Sequence, residues 1–124
     1  TKSGEYKAKN VIAATGRTPK YLGLDNEKDY LGKGLSTCAT CDGAFFKGKD
    51  VAVNGGGNTA LEDAIYLSGL VNKVYLIHRR DQFRGEQALV DIVKKTPNIE
   101  LVLNHTVKEL VGDNLCCQHL YKYN

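Results

Sequence analysis

Two cysteines separated by two residues, Cys38-Ala39-Thr40-Cys41, with Asp42 directly after them, are the residues of this chain best suited to chemistry. A two-residue spacer lets the sulfurs meet in a small ring, so the pair can cycle between dithiol and disulfide. The thiolate is the nucleophile, and Asp42 is placed to give or take a proton as the pair turns over. Two other readings stay open on these residues alone. The pair is half of a zinc site whose remaining candidates, Cys116, Cys117 and His119, fit no compact zinc module, or it is two inert buried cysteines.

A second cluster favours the redox reading. Gly55-Gly56-Gly57-Asn58-Thr59-Ala60 fits G-x-G-x-x-A straight after an apolar run and at the opening of a helical pattern. In such a loop the first glycine permits the tight turn and the second lets the backbone approach a pyrophosphate. The small Ala60 then lets helix and strand pack closely. Helix N-terminal amides face the phosphates with a favourable dipole. NAD-binding units carry an acidic residue about 20 residues further on; here that position is His78, followed by Arg79, Arg80 and, one turn later, Arg84. A carboxylate would repel a 2′-phosphate, whereas guanidinium forks grip one with parallel bonds. NADPH is therefore the expected nucleotide. The alternative is a solvated basic turn paired with Asp81 and Glu86. A nicotinamide unit sharing a chain with a Cys-x-x-Cys pair implies electron transfer to a disulfide.

The elements that must position these groups follow from periodicity. Lys9 to Thr15 reads as a short strand ended by Gly16, and Gly16 to Gly48 as a loop-rich connection holding the cysteines. Asp50 to Val53 is a buried strand. Ala60, Leu61, Ala64, Ile65 and Ser68 recur at helical spacing with Glu62 and Asp63 outward, and Gly69 stops that helix. Lys73 to His78 is a second strand. Glu86 to Lys95 is a helix expected to bury Ala88, Leu89, Ile92 and Val93, ended by Pro97. Ile99 to Leu103 and Thr106 to Val111 are two further strands, and the tail from Leu115 has no clear pattern. The order β-α-β-α-β is a mononucleotide-binding half of a doubly wound sheet. Asn54, before the glycines, places an amide where a buried strand is expected and needs a hydrogen-bond partner.

Composition narrows the class. The chain has 124 residues, 42% of them hydrophobic and 25% charged, enough for one globular domain at most. A net charge of +3 with no basic run is too mild for nucleic acid. No stretch is apolar enough to span a membrane, and nothing resembles a secretory leader, so a cytoplasmic setting is expected. The absence of any Met suggests an excised piece of a longer protein.

The runs VIAATGR, CATCDGAFFKGKDVAVNGGGNTALEDAIYLS and VYLIHRRDQFR resemble low-molecular-weight thioredoxin reductases almost continuously from about residue 5 to about residue 113. The nearest alternative is the flavoprotein subunit of alkyl hydroperoxide reductase, with the same layout but usually another dipeptide between the cysteines. The resemblance implies a Rossmann-like α/β, three-layer NADP-binding domain: a parallel sheet, C-terminal antiparallel strands, and a truncated outline. Residues 1–16 would be a linker strand from an FAD domain, 17–114 the NADPH-binding domain with its redox motif, and 115–124 an irregular tail. It implies that NADPH reduces FAD, FAD reduces the Cys38–Cys41 disulfide, and the dithiol reduces thioredoxin. Cys41 would face the flavin, Cys38 would attack thioredoxin, and Asp42 would handle the proton. Gly55, Gly56, Gly57, Asn58, Thr59 and Ala60 would surround the pyrophosphate, and Arg79, Arg80 and Arg84 the 2′-phosphate. His78 would lie beside the ribose or adenine, and Thr15 and Gly16 would touch FAD. Family members are homodimers whose NADPH domain rotates against the FAD domain. Both flavin-binding segments are missing from these 124 residues, which alone are expected to be inactive. A non-catalytic redox-sensing module that binds NADPH is the other functional reading.

Overall fold

Val51 and Val53 alternate with Asp50, Ala52 and Asn54, and that period of two builds the first strand, β1 (Asp50–Asn54), with its valines turned to the core. The computed structural model describes residues 20–113 and 116–123. The expected strand at Lys9–Thr15 and the linker 1–16, with Thr15 and Gly16, lie outside the described residues.

After β1 the chain forms helix α3 (Asn58–Ser68), strand β2 (Lys73–His78), helix α4 (Gln87–Lys95) and strand β3 (Ile99–Leu103). The three strands pair in parallel in the order β1-β2-β3, with Val51 opposite Val74 and Val74 opposite Ile99. Parallel neighbours need a crossover, and each helix supplies one. Leu61, Ala64 and Leu67 recur on one face of α3. They are buried with Val74, Leu76, Val90, Val93 and Ile99 in a single core between sheet and helices. On the other face Ile77 and Val102, paired in register, are buried as well, where strand β4 (Thr106–Asp113) approaches β2. The expected α/β architecture is the one observed.

Several local expectations change. The segment before β1 is not structureless: it holds a helical turn α1 (Glu27–Tyr30), a second, α2 (Ala39–Asp42), and a 3₁₀ turn at Gly43–Phe46. Local carboxylate and sulfur contacts hold the first two. Glu27, buried, accepts the Leu22 and Gly23 amides at 2.7 and 3.0 Å, and Cys38 Sγ accepts the Cys41 amide at 3.2 Å. The tail is not irregular along its backbone: β5 (Cys116–Tyr123) pairs antiparallel with β4 across two register shifts. Such bulges blur the alternation by which a strand is recognised.

Helix α4 buries Val90 and Val93, with Leu89 half-buried, while Ala88 is exposed and Ile92 is 47% exposed. Its apolar arc is wider than its contact with the sheet, so packing chooses the face. Gly69 does end α3, but in a right-handed conformation (φ −80°), so its special freedom is unused. Asp63 is half-buried rather than outward; burial, then the Glu62 charge, pushes its carboxyl up. Asn54 is exposed on the outer row of β1 with Asp50 and Ala52, so the feared buried amide does not arise.

Candidate functional site

Cys38 and Cys41 are joined in a disulfide, their Cα atoms 5.2 Å apart. Cys38 is half-buried and Cys41 exposed. Cys38 is the N-cap of α2, in an extended conformation that lets its sulfur reach back to the Cys41 amide. Ser36, a residue the sequence analysis passed over, binds this segment together. Its hydroxyl donates to Asp42 Oδ2 at 2.5 Å and accepts the Cys38 amide at 3.0 Å. The available signal was a serine two residues before a helix cap, a spacing at which hydroxyls bond local backbone. Phe45, 78% exposed just after the cysteines, was also overlooked.

The glycine loop divides its labour by position. Gly55 sits at φ +152°, and a Cβ there would come within 2.8 Å of the Ala60 Cβ, so the turn needs glycine and the helix needs a small residue. Gly57 is different: a Cβ there would meet nothing within 4 Å, leaving its backbone open to a ligand. Gly56, the variable position of the motif, has its own constraint, since a Cβ would run into the His78 imidazole.

The basic segment is tied to this loop at one end and to the turn between β3 and β4 at the other. The Arg84 and Gly85 amides donate to Gly56 O at 2.7 and 3.1 Å, and the Asn104 amide donates to Arg80 O at 3.3 Å. Asn104 itself turns the chain with φ 58°, a left-handed conformation asparagine tolerates. Arg79, Arg80 and Arg84 are exposed, and none is ion-paired among the described residues. Asp81 and Glu86 form no ion pair with them among the described residues. Asn58 accepts the Glu86 amide at 2.7 Å and donates to Glu86 Oε1 at 3.1 Å, which brings the N-termini of α3 and α4 together. Two helix N-termini and three unpaired guanidiniums make a strongly anion-favouring surface. Open backbone at Gly57 and the lack of a carboxylate ending β2 fit a dinucleotide with an added phosphate.

The structure does not bring the two clusters together. Gly43, following Asp42, packs on Leu67, Tyr66 and Leu70 at the end of α3, whereas the glycine loop opens its first turn. Eleven helical residues span about 16 Å. Among the described residues, no hydrogen bond links residues 38–42 to the glycine loop or to the three arginines.

Residues 1–122 match the family described as pyridine nucleotide-disulphide oxidoreductase. The chain belongs to this family. It is 50% identical over 119 residues to the thioredoxin reductase of Buchnera aphidicola subsp. Schizaphis graminum, covering 94% of this chain and 37% of that protein. It is 53% identical over 108 residues to the thioredoxin reductase of Helicobacter pylori strain J99, covering 87% and 35%. Among solved structures, Lactococcus lactis thioredoxin reductase superposes with a TM-score of 0.81 at 35% identity, over 84% of this chain and 34% of that one. The T. acidophilum thioredoxin reductase superposes at 0.76 with 44% identity, over 82% and 33%. The chain spans about a third of the length of these relatives. Among the described residues no helix is long and apolar enough to cross a membrane.

Within this member of the family, His78 is a buried support for the loop. Its ring is 6% exposed, stacks on Phe83 at 5.4 Å, and donates from Nε2 to the Gln82 carbonyl at 3.0 Å. Burial lowers its pKa; the Gln82 bond opposes that, and the charges of Arg79, Arg80 and Arg84 add to the lowering. The unfolded chain therefore takes up this proton at a higher pH than the folded one. The stability involved is present above the ordinary histidine value and is lost as pH falls below it. The melting temperature is expected to drop between about pH 7.5 and about pH 5.5, and to drop less in His78→Gln. Equal slopes for the two proteins by thermal denaturation would contradict this.

Proposed function

We propose that this chain is the nucleotide- and dithiol-carrying unit of an FAD-dependent thioredoxin-disulfide reductase that uses NADPH in the cytoplasm as a homodimer. The observation that carries the reading is one chain joining a Cys-x-x-Cys disulfide to a glycine loop with an arginine segment hydrogen-bonded to it. In the reading, the backbone at Gly55, Gly57, Asn58, Thr59 and Ala60 receives the pyrophosphate, and Arg79, Arg80 and Arg84 receive the 2′-phosphate. Gly56 and His78 hold the loop in shape, and Asn58 holds the basic segment beside it. When bound, NADPH supplies a hydride, and FAD, at a site that includes Thr15 and Gly16, supplies the relay from hydride to disulfide. Reacting atoms must approach to about 3–3.5 Å, so clusters anchored at opposite ends of α3 favour such a relay over direct reaction.

On reduction the Cys38–Cys41 bond opens to two thiols, Cys41 being the sulfur on the flavin side. The Cys38 thiolate then attacks a disulfide of thioredoxin, forming a mixed disulfide. The thiolate released from thioredoxin takes the proton that Asp42 received when the Cys38 thiol ionised. Cys41, giving up its proton, next attacks the Cys38 sulfur of the mixed bond, which displaces the second thioredoxin sulfur as the thiol and restores the internal disulfide. Phe45, exposed four residues after Cys41, is the apolar side chain that this reading offers to the incoming protein.

Reduced Cys41→Ser chain mixed with oxidised thioredoxin is expected to accumulate a covalent adduct through Cys38, whereas Cys38→Ser is expected to form none. Mass spectrometry of the mixture decides. The reverse pattern would exchange the two roles. The relay itself fails as an explanation if the 124-residue chain oxidises NADPH with thioredoxin at an enzymatic rate in flavin-free buffer.

A further inference from the structure

We infer that Ser36 is a positioning residue that keeps Asp42 hydrogen-bonded beside the cysteines through both of its protonation states; this rests on the reading of Asp42 as the proton carrier. The Ser36 hydroxyl lies 2.5 Å from Asp42 Oδ2 and 3.2 Å from Cys38 O, and it accepts the Cys38 amide at 3.0 Å. A serine hydroxyl has one proton to donate and two lone pairs to accept with. When Asp42 is ionised, the hydroxyl donates to Oδ2. When Asp42 carries its proton on Oδ2, the carboxyl donates to Ser36 Oγ, and the serine hydrogen turns to the Cys38 carbonyl. The amide of Cys38 stays bonded to Oγ in both cases. No heavy atom has to move.

This arrangement matters because Asp42 sits on α2, which has only four residues and cannot hold a side chain in place by itself. Among the described residues, Cys38 and Cys41 share its turn, and Tyr66 of α3 abuts its neighbour Gly43. Ser36 ties the carboxyl to the backbone of the cysteine that attacks the substrate. Proton and sulfur are thereby kept in one frame. Only a proton changes hands in the step concerned: it passes between Asp42 and a sulfur leaving a disulfide, while the electron pair of the broken S–S bond stays on that sulfur.

The test follows the chain after reduction with dithiothreitol and removal of the reductant. Reoxidation of the Cys38/Cys41 dithiol by a chromogenic aromatic disulfide is recorded by stopped flow across the pH range. Asp42→Asn is expected to abolish one limb of the pH profile. Ser36→Ala is expected to slow reoxidation by roughly tenfold and to move that limb, and Ser36→Thr, which keeps a hydroxyl, to restore both. If Asp42→Asn changes the profile and Ser36→Ala leaves it where it was, the inference about Ser36 is wrong and the role of Asp42 stands. If neither substitution changes the profile, Asp42 is not the proton carrier and both ideas fall. If Ser36→Ala slows the reaction equally at every pH, or Ser36→Thr does not rescue, the serine is merely structural and the inference is overturned.

Discussion

Replacing Arg79 and Arg80 together by alanine is expected to weaken NADPH binding by about a hundredfold while leaving NADH binding within about threefold. A charge-assisted hydrogen bond to phosphate contributes about 1.5–3 kcal/mol, and each 1.4 kcal/mol is about a factor of ten. Both side chains are exposed, so solvent and salt screen them, and the lower end of that range applies. The difference between nucleotides is the diagnostic part. NADH lacks the 2′-phosphate and so has nothing for these guanidiniums to hold. Isothermal titration of both nucleotides into both proteins measures it, and raising the salt should shrink the NADPH advantage. An equal loss for NADH and NADPH would mean that the segment shapes the loop rather than reading the phosphate. A wild-type preference for NADH would remove the electrostatic argument altogether.

The second large effect concerns a residue that makes no proposed contact with nucleotide through a side chain. Gly56→Ala would drive a methyl group into the buried His78 ring, which is confined by Phe83 and by its bond to Gln82. Overpacking of this kind costs about 1–3 kcal/mol. In a chain of this size that is a fall of roughly 5–15 °C in melting temperature. Nucleotide binding should be lost with it, because Gly56 O also receives the Arg84 and Gly85 amides. Two companion variants separate the causes. Gly57→Ala meets no neighbour, so it should melt like the parent protein and yet bind nucleotide poorly. His78→Ala should relieve most of the Gly56→Ala destabilisation when the two are combined. Should the double variant be no more stable than Gly56→Ala alone, the clash is not the source of the effect.

These two predictions draw on different kinds of information. The arginines are legible in the sequence because their meaning lies in place and type: basic residues where an acidic one would otherwise end the second strand. The glycine at position 56 is not legible in that way. The G-x-G-x-x-A pattern leaves that position variable, and only the folded chain shows an imidazole from 22 residues downstream standing over it. His78 reads in sequence as a residue beside the ribose or adenine, and the fold adds that its buried ring packs against Gly56 and Phe83. Asn58 reads as a phosphate contact, yet its amide is engaged by Glu86, 28 residues away.

By itself the sequence determined the β-α-β-α-β order from β1 to β3, the turn glycine, the small residue that faces it, and the spacing of the two sulfurs. Each of these depends on backbone geometry over a few neighbouring residues, and local chemistry is enough to specify it. Tertiary structure alone decided which arc of α4 meets the sheet, that Ser36 bridges Asp42 and Cys38, and that the sulfur and glycine clusters are held at opposite ends of one helix. Those outcomes depend on which surfaces exclude water from each other once the sheet has closed. An apolar arc wider than its contact, or a hydroxyl with several partners in reach, leaves that choice to packing.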